Sequence, residues 1–559
     1  MHVYRLIFIR AILLFLIISS SGATVKAQSN SELKDQITSA MMKATEFFAD
    51  SVSENGGYLS HYLPDFSRMW GEMEAYPSMI WVQDPGTVSM GNTFLDAYFA
   101  THNEYYYEQA KKSADALIWG QLPCGGWNYI INFAGENSTL NWYNTIGKNG
   151  WRLEEFQHYY GNATFDDETT SGAAFFLLRF YLTKIDPAYK APLEKVINLV
   201  LKSQYPQGGW PQRYPLRHDF NKEGDQDYTS FYTFNDNVIW QNIKFLVACY
   251  ATLNFHDKYY KGGDGRILDA IRRGMNFIIL AQTPKPFSGW GQQYRMDLSL
   301  AGARTYEPAS LDPQYTAGNI EILLKCYKMT GDKRYLERIP DAIDWFKGAI
   351  LRKTDKEGVY VYAKFVDGKT GKPLYTHRVG SDVVFGHYYV DHDSTNTVAH
   401  YHNFREINLR KVEDDYQKVL NESIAAATTN SPLIPDKDCT KSLIKKYDFI
   451  IKYFELPEYT VRTFPAVTEN VKKVLSSQDS EGRWLVSGQQ TSHPYIGEPK
   501  NEDRATRKYM TTYVGDKYDT SPYRDESNQK YISTAVYSYN MKILIKYLDK
   551  LNGKLVSKN

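Results

Sequence analysis

The sequence predicts a mainly α-helical fold, an (α/α) toroid of repeated helical hairpins with Gly-Gly-Trp turns and short β segments. Two observations predict it. The first is a repeated turn. Gln121-Leu-Pro-Cys-Gly125-Gly-Trp127, Gln204-Tyr-Pro-Gln-Gly208-Gly-Trp210 and Gln478-Asp-Ser-Glu-Gly482-Arg-Trp484 share the pattern Q-x-x-x-G-x-W. Ser288-Gly289-Trp290 is a shorter copy and Glu357-Gly358-Val359-Tyr360 a weaker one. The second is that these copies follow paired amphipathic stretches. A helix, turn, helix, Gly-Gly-Trp unit cannot bury its apolar faces alone, so the units must stack.

The elements follow in order. Ser171–Leu182 and Leu193–Ser203 precede Trp210, with Asp186-Pro187 punctuating the turn between them. Asn237–Leu253 and Arg266–Leu280 precede Trp290; Ala317–Met329 and Tyr335–Ile350, joined by Thr330-Gly331-Asp332, precede Val359. In each turn glycine permits a backbone path that a Cβ would obstruct, and the tryptophan plugs the end of the helix pair. Residues 37–51, 444–478 and 530–551 supply further helices. The stretch from about 378 to 440 shows no helical period and is expected to be a long loop region. No linker divides residues 28–559, which are expected to form a single domain.

Composition narrows the function. At 559 residues the chain fits three ordinary domains or one large repetitive one. Hydrophobic residues at 43% and charged residues at 23% mark it as globular. Lys+Arg 65 against Asp+Glu 64 leaves +1, so no basic field exists to bind nucleic acid. The 45 Tyr and 11 Trp offer flat faces with polar tips, which suit a sugar cleft and equally a large aromatic core. Four cysteines are too few for a disulfide scaffold, and Cys249 and Cys326 read as buried thiols. Residues 1–27 read as a signal peptide: Arg5 and Arg10, a short apolar run from Ala11 to Ile18, and Val25-Lys26-Ala27 as a small-x-small cleavage site. The run is shorter than the roughly 20 residues of a membrane span. The expected product is a secreted or periplasmic soluble monomer with no membrane or nucleic-acid partner.

Q-x-x-x-G-x-W turns also occur in triterpene cyclases, but Asp166-Asp167-Glu168-Thr169 and Asp414-Asp415 supply neither the protonating nor the metal-binding acidic motif those enzymes need. Three other segments carry a more specific resemblance. They are Tyr205-Pro-Gln-Gly-Gly-Trp-Pro-Gln-Arg-Tyr-Pro215 with Tyr232-Thr-Phe-Asn-Asp236-Asn, then Gly291-Gln-Gln-Tyr-Arg-Met-Asp297 running into Ala303-Arg304-Thr-Tyr-Glu307-Pro, and Thr164-Phe-Asp166-Asp-Glu-Thr-Thr170. Over about 160–380 the chain resembles the pectate lyases of polysaccharide lyase family 10. The resemblance implies calcium-assisted β-elimination on polygalacturonate, an acidic polysaccharide. It assigns Arg304 as the base at C5 and Asp166 and Asp236 as calcium-associated acids; Asn235, beside Asp236, is read as a substrate contact. Glu307, three residues after Arg304, is read as orienting the guanidinium. Arg378 is read as a fork for a galacturonate carboxylate, and Trp210 as a candidate sugar contact whose repeat partners point to a structural role.

The chemistry is coherent. The proton to be lost neighbours a carboxylate, so its removal develops a second charge that calcium can neutralise. Calcium takes 6–8 oxygens, so two protein carboxylates would be completed by substrate and water. Arginine stays protonated far above neutrality, so it works as a base only in alkaline solution unless positive charge nearby lowers its pKa.

Duller readings stand beside these. Asp236 and Asp166 could cap the helices that follow them. His387, Asp391, His392, Asp393, His400 and His402 lack the spacing of a transition-metal site and read as a cleft loop. Asp219, Glu223, Asp225 and Asp227 read as a solvated acidic insertion. The family's Asp-Asn-Gly-Ala-Thr reads here as Asp166-Asp167-Glu168-Thr169-Thr170, with extra acids. Two rival functions remain: a glycoside hydrolase pairing Asp166 or Asp167 with Asp236, and a non-catalytic glycan-binding protein.

Overall fold

In the computed structural model the glutamine, glycine and tryptophan of each repeated turn have fixed partners, and those partners bring the helices round into a ring. The structure describes residues 30–151, 153–217, 227–254, 265–379, 387–395, 397–398, 403–434, 442–455, 459, 471–492, 519–524 and 528–553. The expected signal peptide, most of the acidic insertion, His400 and His402 lie outside these. The helices are α1 (Asn30–Phe47), α2 (Thr87–Thr101), α3 (Glu104–Trp119), α4 (Glu136–Thr145), α5 (Thr169–Lys184), α6 (Lys190–Ser203), α7 (Val238–Cys249) and α8 (Gly265–Leu280). They continue with α9 (Pro313–Thr330), α10 (Arg334–Glu337), α11 (Ile339–Gly348), α12 (Leu409–Asn421), α13 (Ile424–Thr428), α14 (Leu443–Tyr453), α15 (Val471–Ser477) and α16 (Thr534–Leu551). Among the described residues no helix is long and apolar enough to cross a membrane.

Hairpins α2–α3, α5–α6, α7–α8 and α9–α11 pack internally, and the first member of each lies on the inner side. α16 packs on α2, α2 on α5, and α5 on α7. Burial separates the two layers. The inner helices α5 and α7 are buried nearly all round, with Phe176, Leu177, Leu178, Phe180 and Ile243, Phe245, Leu246, Val247 all at or near zero exposure. The outer helices bury one stripe: Leu193, Val196, Ile197 and Val200 on α6, and Ile267, Ala270, Ile271, Gly274, Met275 and Ile278 on α8. α9 starts on Pro313 after Asp312, whose side chain accepts from Gln314 N at 2.8 Å, and stops at Gly331 in the left-handed region.

The turns join neighbours. Each tryptophan indole donates back to a carbonyl of the helix just ended: Trp127 to Leu117 O, Trp210 to Val200 O, Trp290 to Ile278 O and Trp484 to Val474 O, at 2.7–2.9 Å. Each glutamine reaches forward to the next outer helix or its approach: Gln121 to Pro192 O, Gln204 to Ala270 O, Gln282 to Arg338 O and Gln478 to Ala40 O. Gly125 (φ 106°) and Gly208 (φ 110°) lie so close to the backbone of α6 and α8 that a Cβ would strike a carbonyl. Gln478 binds α1, so the last turn of the series docks on the first helix and the ring closes.

One expectation fails. Part of the supposed loop from 378 to 440 is ordered: strands His387–Asp391 and Phe404–Asn408, then α12 and α13. α12 escapes a periodicity reading because its apolar stripe is thin, with only Leu409, Val412 and Val419 buried in a highly charged segment. Asn408 caps it by accepting from Lys411 N at 3.0 Å. Phe404–Asn408 pairs with Val359–Ala363, while Phe365–Val366 pairs with Pro373–Val379. The chain therefore changes sheets at Lys364.

Candidate active site

The site is assembled where chain segments enter the inner helices. Thr164-Phe-Asp-Asp-Glu168 leads into α5, and Thr233-Phe-Asn-Asp-Asn237 leads into α7. Both are anchored through the preceding tryptophan: Thr164 N donates to Trp127 O at 2.8 Å and Thr233 N to Trp210 O at 3.0 Å. Both then make the same uncommon turn, with Asp167 and Glu168 at φ 46° and 57° and Asp236 and Asn237 at φ 48° and 57°. Left-handed conformations cost non-glycine residues about 1–3 kcal/mol each, and such strain concentrates at working sites. The capping alternative is not taken, because neither Asp166 nor Asp236 makes a side-chain cap bond.

This internal repeat equates Asp167 with Asp236, and Asp166 with Asn235. The two turns touch. Asp166 is 1% exposed, and its Oδ2 accepts from Tyr129 Oη at 2.5 Å. Asp167 lines the cleft, and its Oδ2 accepts from Gln83 Nε2 at 3.4 Å. Asn235 donates from Nδ2 to Asp236 Oδ2 at 2.6 Å, and its Oδ1 accepts from Tyr315 Oη at 2.7 Å.

Arg304 faces the same cleft, which has a volume of about 310 Å³. The Ala-Arg-Thr-Tyr-Glu-Pro segment is a tight turn in which Glu307 N donates to Arg304 O at 2.8 Å. That turn brings the Glu307 carboxylate under the guanidinium, where it accepts from Nε at 3.0 Å and Nη2 at 3.1 Å. Nη1 lies 3.3 Å from Glu155 Oε2. Glu307 thus holds the guanidinium in one orientation as a bidentate partner.

Carboxylates crowd the cleft. Burial, then repulsion from Asp166 and Glu155, pushes Asp167 up to about 8. Burial raises Glu155 to about 7 against the pull of Arg304. Glu72 and Asp236 are also raised, first by burial and then by neighbouring acids, Asp167 foremost. Glu307 differs: burial would raise it, but its ion pair with Arg304 outweighs this and leaves it low. Lys364, Asp312, Gln292 and Arg405 also line the cleft.

The structure gathers Arg304, Asp236, Asn235 and Glu307, with Asp166 directly behind Asp167. It does not bring Trp210 or Arg378 to the wall. Trp210 has no exposure and serves its turn; Arg378 has none and stacks 5.5 Å from the Trp151 ring, so neither can meet substrate in this arrangement. Glu72, Glu155, Lys364 and Arg405 were not anticipated. Asp167 could have been singled out by aligning the two Thr-Phe-x-Asp segments. His377 takes up Asp391 at 2.9 Å, and His392 bonds Pro373 O, so these parts of the histidine cluster are engaged structurally. Cys249 and Cys326 are buried free thiols.

Calcium fits this donor set on chemical grounds. The donors are carboxylate and amide oxygens, and Asp166 Oδ1 is buried without a hydrogen-bond partner. Among the described residues, no three His, Cys, Asp or Glu side chains form a metal cage by themselves. Calcium takes 6–8 oxygens, so two protein carboxylates here would be completed by substrate and water oxygens.

Comparisons with known proteins bear on the same region. Residues 138–404 match the family described as pectic acid lyase. A family 10 polysaccharide lyase from Cellvibrio cellulosa, a mutant solved with trigalacturonic acid, is 18% identical, with 59% of this chain and 98% of that one covered and a TM-score of 0.39. A GH76 α-mannanase from Bacteroides thetaiotaomicron is 10% identical over 95% and 99% of the chains, with a TM-score of 0.35. A sugar epimerase from a ruminal bacterium is 12% identical over 62% and 92%, at 0.31. No curated protein sequence matches.

Proposed function

We propose, from the match of residues 138–404 to the pectic acid lyase family, that the chain is a secreted enzyme cleaving polygalacturonate by calcium-assisted β-elimination. The observation that supports this most is the meeting of Arg304 with Asp236 and the Asp166-Asp167 turn around one cleft. Asp236, with Asp166 or Asp167, would hold the calcium. When bound, it supplies Lewis-acid neutralisation of the uronate whose neighbouring C–H is lost. Arg304 is the base at that proton, and Glu307 fixes its direction. Because Glu307 and Glu155 favour the charged guanidinium, the base is scarce at neutral pH, and activity should rise into the alkaline range.

The decisive assay follows ultraviolet absorbance during incubation with polygalacturonate, with and without calcium. Elimination leaves a conjugated uronide, which absorbs; hydrolysis by paired carboxylates does not. Sugar release without absorbance would replace this reading with the hydrolase. An active wild type that is unaffected by Arg304→Ala would remove arginine from its role.

A further inference from the structure

β-Elimination moves two protons: one leaves C5, and one must reach the glycosidic oxygen as the C4–O bond breaks. Arg304 serves only the first. Its Nε and Nη2 are occupied by Glu307 and its Nη1 faces Glu155. Across Glu307 stands a second nitrogen. Lys364 lies at the bend where the chain passes from the Val359–Ala363 strand to Phe365–Val366, its backbone N donating to Asn403 O at 2.7 Å. That change of sheet turns its side chain into the cleft, where it is 4% exposed. We propose that Lys364 is the general acid of the reaction, giving a proton from its ammonium to the oxygen that leaves C4.

The surroundings suit the role. The groups acting on the ammonium are the acids Asp312 and Glu307, the arginines Arg405 and Arg304, and the Phe365 ring 4.8 Å away. Burial, joined by the two arginines, outweighs the two acids and brings Lys364 down to about 8, where an amine can both give and recover a proton in mildly alkaline solution. Glu155 faces Arg304 Nη1, on the side of the base. Tyr315 Oη donates to Asn235, and the acids near Asp236 would be ionised by the cation they hold. The step balances: the C5–H electrons form the C4=C5 bond, the C4–O pair stays on oxygen, that oxygen takes the Lys364 proton, and the neutral amine regains one from water.

This rests on the elimination reading, so the test separates the two. Wild type, Lys364→Met and Lys364→Arg are compared on polygalacturonate and on an oligogalacturonate whose terminal C4 carries 4-nitrophenoxide, a leaving group that needs no proton. Both variants are expected to lose about 10²-fold or more in kcat on polygalacturonate, yet remain within about threefold of wild type on the nitrophenyl compound. Lys364→Arg keeps the positive charge and carries the test if Lys364→Met fails to fold. Equal losses on both substrates, or no loss on polygalacturonate, would overturn the proposal while leaving elimination intact. A wild type that yields no unsaturated product from either compound would overturn the elimination reading itself.

Discussion

The acidic groups of the cleft make opposite demands with and without a cation. Asp167 at about 8 and Glu155 at about 7 bind protons in the fold at a pH where the unfolded chain has released them. Their folded values are raised, so the stability these two groups contribute is fully present below the ordinary carboxylate range and is lost as pH climbs toward 8. In calcium-free buffer the melting temperature should therefore decline between pH 5 and 8. Asp167→Asn should flatten that decline, and a wild type without it would contradict the crowding described. Calcium and a uronate ligand together should restore stability at pH 8. Terbium luminescence should report this binding, and Asp236→Asn should weaken it about tenfold or more. Glu307→Gln removes charge but not shape beneath Arg304, and kcat should fall by about an order of magnitude or more with little change in KM. The sequence exposed Arg304 and Glu307 because they lie in one short motif. It hid Glu72, Glu155 and Lys364, whose places in the cleft depend on contacts between distant segments.

At the level of elements, the turn motif carries the connection between hairpins. Gln204→Ala deletes bonds to Gly208 O and Ala270 O, two buried carbonyls, and should cost about 2–4 kcal/mol, read as a lower denaturant midpoint. Gly208→Ala should be at least as damaging, since it joins a φ of 110° to a collision with α8. The main helices were legible because their apolar periods are dense and their punctuation is plain, as at Asp186-Pro187 and Thr330-Gly331-Asp332. α12 was not, because three buried residues in a charged helix leave too faint a period. The Thr-Phe-x-Asp turns are legible as a repeat, but their left-handed backbone is not. Nothing in the residue types Asp167-Glu168 or Asp236-Asn237 demands it, and it follows from anchoring each segment on the preceding tryptophan while the inner helix begins.

Across the whole molecule, hairpin order in the chain becomes order around a circle. α16 packs on both α1 and α2, and the turn at Gln478 docks on α1, so early and late segments share one seam. Deleting 534–551 should therefore abolish folding of the remainder rather than trim it, seen as loss of the cooperative thermal transition. A truncated protein with an unchanged transition would show that the seam is dispensable. An open stack of repeats has a first and a last member that face water. A hoop has neither, so no unit is privileged as a cap. Joining residues 30 and 553 through a short linker and opening the chain in another outer turn should then yield the same hoop with relocated ends.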